Sequence, residues 1–145
     1  MLPHEPIQLP AGSPGKRRLG MAAVVVLLSG NALSQTTERD SVDSLGNQAT
    51  SSSEFSSISQ DGRWVSFRSF SSNLVSGDTN FAPDVFVHDR LTGVTERVSV
   101  DSSGIQGDQS STRSALSADG RYVAIQSQAT NLVPGDTNVK EDIFV

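Results

Sequence analysis

From Phe55 onward, apolar and polar residues alternate over short runs separated by turn formers, the period-two pattern of half-buried strands. Phe55 to Ser59 is the first run. Gln60-Asp61-Gly62 follows as a tight turn, because glycine after aspartate tolerates the positive φ that such hairpins require. Arg63 to Phe70 is the next strand, with Val65 and Phe67 on one face and Trp64 and Ser66 on the other. A loop of about a dozen residues, rich in turn formers, runs through Ser76-Gly77-Asp78-Thr79-Asn80 to Pro83. Asp84 to Asp89 then returns as a strand whose Val85-Phe86-Val87 is apolar on both faces, as in a strand covered on two sides. Leu91-Thr92-Gly93 turns the chain again. Val94 to Asp101 is the fourth strand, with Val98 and Val100 inward and Glu96, Arg97 and Ser99 less buried. No sustained 3.6-residue apolar stripe occurs in this region, so the pattern is all-β and excludes helical repeats.

The pattern also repeats. Thr37 to Val87 aligns without a gap on Thr95 to Val145 at an offset of 58 residues, and about 28 of 51 positions are identical. Thr37-Glu38-Arg39 matches Thr95-Glu96-Arg97, Asp61-Gly62-Arg63 matches Asp119-Gly120-Arg121, and Gly77-Asp78-Thr79-Asn80 matches Gly135-Asp136-Thr137-Asn138. Four antiparallel strands per period is the unit of a β-propeller blade, and a β-sandwich of two repeats is the alternative. The expectation is therefore a propeller-type repeat region over 35–145, with copies at 37–94 and 95–145, the second truncated. Two blades do not close a ring, so further sequence or oligomerisation is expected to complete it. Thr37 to Asp43 matches a fourth strand whose first three are absent, as suits a strand that zips a ring. Asp40 stands where the later copy has Val98, which suits an edge.

Composition narrows the partners. There are 11 bases and 16 acids, for a net charge of −5. Beyond residue 34 the balance is about 8 bases to 15 acids. An acidic surface without a basic stripe argues against nucleic acid. The sequence has no cysteine, which excludes disulfides, thiolate catalysis and Cys-ligated zinc. Lys16-Arg17-Arg18, the apolar run Leu19 to Leu28 and Ala32-Leu33-Ser34 read as a signal peptide within a leader over 1–34, cut before Gln35. The apolar run is short for a bilayer span, and the mature chain is expected to have none. Export to the periplasm or the extracellular space follows.

The segments Ser59-Gln60-Asp61-Gly62-Arg63-Trp64-Val65-Ser66-Phe67 and Ser117-Ala118-Asp119-Gly120-Arg121-Tyr122-Val123-Ala124-Ile125, with Asp84 to Asp89 and Thr92-Gly93 downstream, resemble the TolB-type β-propeller repeat. The resemblance covers nearly all of 37–145. Gln60 and Ala118 depart from it, standing where the family usually has proline. It implies an exported bacterial propeller, most of which bind partners and some of which form the propeller half of a serine peptidase.

Candidate chemistry centres on one repeated loop. Asp78, Asn80 and Asp84, and again Asp136, Asn138 and Asp142, present carboxylate and amide oxygens of the kind a hard cation such as Ca²⁺ takes. The structural alternative is that they cap loop amides. Pro83 stands where an EF-hand loop needs glycine. Asp61 and Asp119 read as turn residues, and Arg63 and Arg121 as partners of an acid on a neighbouring blade. Trp64, Phe67 and Phe70 read as packing between blades, His88 as a solvated surface histidine, and Ser51-Ser52-Ser53 and Ser110-Ser111 as inter-blade linkers. No Gly-x-Ser-x-Gly elbow, P-loop or dinucleotide glycine pattern occurs, so catalytic residues and organic cofactors are not expected. The expected function is an exported, non-catalytic scaffold that binds a protein or ligand. The alternatives are the propeller portion of a larger exported hydrolase or peptidase, and a calcium-stabilised cell-surface repeat protein.

Overall fold

The computed structural model describes residues 35–145, and the leader and its cleavage point lie outside them. The described residues contain seven strands and no helix. They are β1 (Ser53–Ile58), β2 (Trp64–Ser69), β3 (Asp84–Asp89), β4 (Val94–Arg97), β5 (Ser111–Leu116), β6 (Val123–Ser127) and β7 (Asp142–Phe144). Two antiparallel meanders result, one of four strands in the order β1-β2-β3-β4 and one of three in the order β5-β6-β7. The repeat seen in sequence is thus a repeat of hydrogen bonding. In both copies a register shift interrupts the first strand pair, between Glu54 and Ser57 and between Ser111 and Arg113.

β2 and β3 form the core because their apolar residues meet in register. Phe67 lies opposite Phe86 on neighbouring strands, with ring centroids 5.9 Å apart. Val65 and Leu74 complete the buried cluster, and Ala49 and Val75 pack against it. Ile125, Ala129 and Leu132 are the buried counterparts in the second sheet. All six residues of β3 are buried, as expected for a strand covered on two sides, whereas β7 is half open. The sheets pack on each other through β5, whose Ser111 N–H donates to Pro83 O (2.8 Å) and whose Ser114 hydroxyl donates to that of Ser66 (3.0 Å). The Trp64 indole abuts Gly120, where a Cβ would come within 2.3 Å of it, so only glycine fits. Trp64 therefore packs between the sheets as expected, whereas Phe67 packs on Phe86 within its own sheet and Phe70 is half exposed beneath the Arg68 guanidinium.

Other expectations are corrected. Ser99 is fully buried, and Val98 and Val100 are only half-buried. Strand pairing ends at Arg97, and beyond it the Ser99 hydroxyl turns inward to donate to Asp84 (2.6 Å). His88 is buried, its Nδ1 2.9 Å from the Thr95 hydroxyl on the adjacent strand. Arg63 pairs within its own sheet, its guanidinium forking onto Asp89 (Nε–Oδ1 2.9 Å, Nη2–Oδ2 2.7 Å). Arg121 stacks over Tyr122 instead. Two of the serines read as linkers belong to strands. Ser53 and Ser111 start strands, and each bonds the hydroxyl of its cross-strand partner, Ser69 or Ser127, at 3.0 Å. Thr37 to Asp43 pairs at one point only, the bridge Val42 to Gln48.

Candidate functional site

The first Asp-Thr-Asn loop is built around an arginine. β4 brings Arg97 opposite Phe86, beside the end of the loop that opens β3. Its Nη1 lies 3.6 Å from Asp78 Oδ1 and 3.5 Å from Asp84 Oδ2. The side chains of Asp84 and Asp78 are 0% and 6% exposed and that of Arg97 is 10% exposed, so this is a buried triad. Burial pushes both carboxyls above their usual range, and the nearby guanidinium pulls each partly back. Asp84 is held further by the Ser99 hydroxyl, which also accepts the Val85 N–H (3.2 Å).

Asn80 faces Asp84 with its amide nitrogen, not its oxygen. Nδ2 donates to Asp84 Oδ2 (3.2 Å) and to Gly107 O (2.9 Å), while Oδ1 accepts the Ala82 N–H (3.0 Å). The left-handed Phe81 (φ 55°) makes that capping turn possible. Positive charge at Asp78 and Asp84 is therefore supplied by Arg97, a residue that the sequence reading did not place at the site. Its signal was present, because Arg97 belongs to the Thr-Glu-Arg block that recurs with the loop.

The second loop is the same cradle without its arginine. Asn138 Nδ2 donates to Asp142 Oδ2 (2.9 Å), Asn138 Oδ1 accepts the Lys140 N–H (2.6 Å), and Val139 is left-handed (φ 54°). Asp136 Oδ1 is buried and has no hydrogen-bond partner among the described residues. Beside it opens a cleft of about 580 Å³ between the loop and β7, reaching from Val133 to Asn138 and from Asp142 to Val145. Among the described residues no three acidic, histidine or cysteine side chains converge as metal ligands.

The remaining polar candidates hold turns together. Asp61 accepts from the Ser59 hydroxyl (2.5 Å) and the Arg63 N–H (3.0 Å), and Asp119 repeats this with Ser117 (2.6 Å) and Arg121 (3.2 Å). These bonds hold both carboxyls below the usual range. Asp89, gripped by Arg63 and by the Leu91 N–H and Thr92 hydroxyl, is held far below it. No helix among the described residues is long and apolar enough to cross a membrane. No protein-family model, curated protein or solved structure matches this chain, so its chemistry is read from its own geometry.

Proposed function

We propose that this chain is an exported, non-catalytic β-propeller repeat protein whose sheets serve as a scaffold for binding a protein or ligand. The observation that supports this reading is a division of labour between the two copies. The turn and cradle residues recur at both positions, whereas the exposed loop tips differ. Asp78, Asn80 and Asp84 recur as Asp136, Asn138 and Asp142, but Phe81 becomes Val139, Ala82 becomes Lys140 and Leu45 becomes Ser103. In an antiparallel meander the β2–β3 loop and the connection out of β4 share one end of the sheet. The Thr79 hydroxyl bonded to Gln106 ties those two connections together there (2.9 Å). Phe81 and Ile105 on these two connections, Leu45 ahead of β1 and Val139 on the β6–β7 loop are all exposed, and Phe81 is fully so. Rigid sheets carrying variable apolar tips suit recognition.

A photo-reactive residue at position 81 or 45 of the exported protein tests this reading. It should capture a partner that the same probe at Leu91, on the opposite end, does not. Capture from position 91 alone, or peptide or ester hydrolysis by the purified protein, overturns the scaffold reading. Export is tested separately, by N-terminal sequencing of secreted material. The sequence should start at Gln35, and an intact Met1 on cytoplasmic protein sinks that part.

A further inference from the structure

Phe55 and Arg113 stand one repeat offset apart, and they meet between the two sheets. In the first copy the register shift between Glu54 and Ser57 bulges β1, and at that bulge Phe55 is left-handed (φ 53°). A bulky residue in this region is strained, and bulges and strain of this kind persist where a side chain has to be aimed. Here the aim is at two cations. The Arg68 Cζ lies 5.9 Å from the centre of the Phe55 ring and the Arg113 Cζ 5.3 Å from it. Arg68 comes from β2 and Arg113 from β5, so the ring bridges the sheets. Their first strands are also tied there by the Leu116 N–H, which donates to the Ser57 hydroxyl (3.2 Å).

Both guanidiniums are short of partners. Among the described residues Arg113 is exposed and has no acid within ion-pair distance. Arg68 has one acidic neighbour, Glu54, at 3.5 Å, and its Nε is buried without a hydrogen bond. Arg68 also lies over Phe70, 4.4 Å from the ring centre, and Phe55 and Phe70 are each about half exposed. The repeat design does not account for this cluster. One offset on, Glu54, Phe55, Arg68 and Phe70 become Thr112, Arg113, Gln126 and Gln128. The serine pair beside them does recur, Ser53 with Ser69 as Ser111 with Ser127.

Two cations against one half-exposed carboxylate leave local positive charge on a protein that is acidic overall. The planar fork of a guanidinium matches a carboxylate, and half-open aromatic rings offer an apolar face beside it. We infer that Phe55, Arg68, Phe70 and Arg113 form a binding site for a carboxylate carried on an apolar body. The carboxylate sits between the guanidiniums, the body lies against the rings, and Glu54 gives up Arg68 as the ligand enters. A free organic acid and the C terminus of a peptide share this chemistry. The site stands on its own geometry and does not depend on what the loop tips capture.

Phenylpropionate titrated into the full chain, and followed through the arginine Nε–Hε signals by NMR, tests the assignment. The Arg68 and Arg113 signals should shift and saturate. Phenylpropionamide, which lacks the charge, and acetate, which lacks the body, should each bind at least about tenfold more weakly. Arg113→Gln, at an exposed position, should weaken phenylpropionate at least about tenfold with the backbone amide spectrum otherwise unchanged. Glu54→Gln should tighten it, because the competing carboxylate is gone. The peptide Gly-Gly-Phe separates the sources: tighter binding than the free acid supports a chain terminus, and weaker binding supports a small acid. A shift that does not saturate, an amide that binds as well as the acid, binding indifferent to Arg113→Gln, or binding weakened by Glu54→Gln each overturns the proposal.

Discussion

Arg97 is one cation shared by two buried carboxylates, and that sets what its loss does. Arg97→Met should lower stability by about 3 kcal/mol, the cost of leaving buried charge uncompensated. Adding Asp78→Asn and Asp84→Asn should restore much of that loss, because the charges that needed Arg97 are gone; urea titration of the set checks both. The same geometry predicts that, once Asp136→Asn removes the carboxylate of the second loop, millimolar calcium and EDTA give the protein the same melting temperature, since in the first loop the guanidinium already lies between the carboxylates. A calcium-dependent rise of several degrees would show that metal competes for the loops. The carboxylates and the amide were legible in sequence because they sit within seven residues of one another. Arg97 was not, because it lies on a different strand and only the β3–β4 register brings it over.

Among elements, β3 was the easiest to read and β4 the hardest. Val85-Phe86-Val87 announces burial on both faces by composition alone, and the strand is buried throughout. The β4 segment misleads because its alternation runs in the other phase, with Thr95, Arg97 and Ser99 turned inward in place of the valines. A slip of one position exchanges inward and outward residues, so valines read as inward are half-open and Ser99 is buried. The same pairing buries His88 under Thr95, and this gives the protein a titration. Burial holds the imidazole below its ordinary value, while Asp40 and Asp89 pull it upward and Arg90 pushes it down. The unfolded chain takes up this proton near pH 6.5 and the folded chain only lower. The stability linked to neutral His88 is thus complete above that pH and lost as the pH falls below it. Denaturant titrations between about pH 5 and 7.5 should show a decline toward acid that His88→Gln flattens. Asp78 and Asp84, with raised values, act with the opposite sign from about pH 4 upward, so the difference between wild type and variant isolates the histidine. An unchanged slope in the variant refutes the assignment.

At the scale of the molecule, the two sheets are the same design in unequal surroundings. The period, the turns and the strand count were readable because each repeat states them twice. The packing between sheets was not, since Trp64 on Gly120 and Pro83 with Ser111 join residues whose pairing no local pattern encodes. The unequal burial of β3 and β7 has a kinetic consequence. Amide protons exchange with solvent only when their bonds open, and opening is easiest where few neighbours must move. The β3 amides, flanked by β2 and β4, should exchange only when the whole first sheet comes apart. Those of β7, flanked among the described residues by β6 alone, should exchange orders of magnitude sooner. Deuterium uptake followed by mass spectrometry should therefore run as a gradient along the chain, with equal protection of β3 and β7 as the result that refutes it. Such a gradient lets the far edge fray and re-form while the first sheet stays folded.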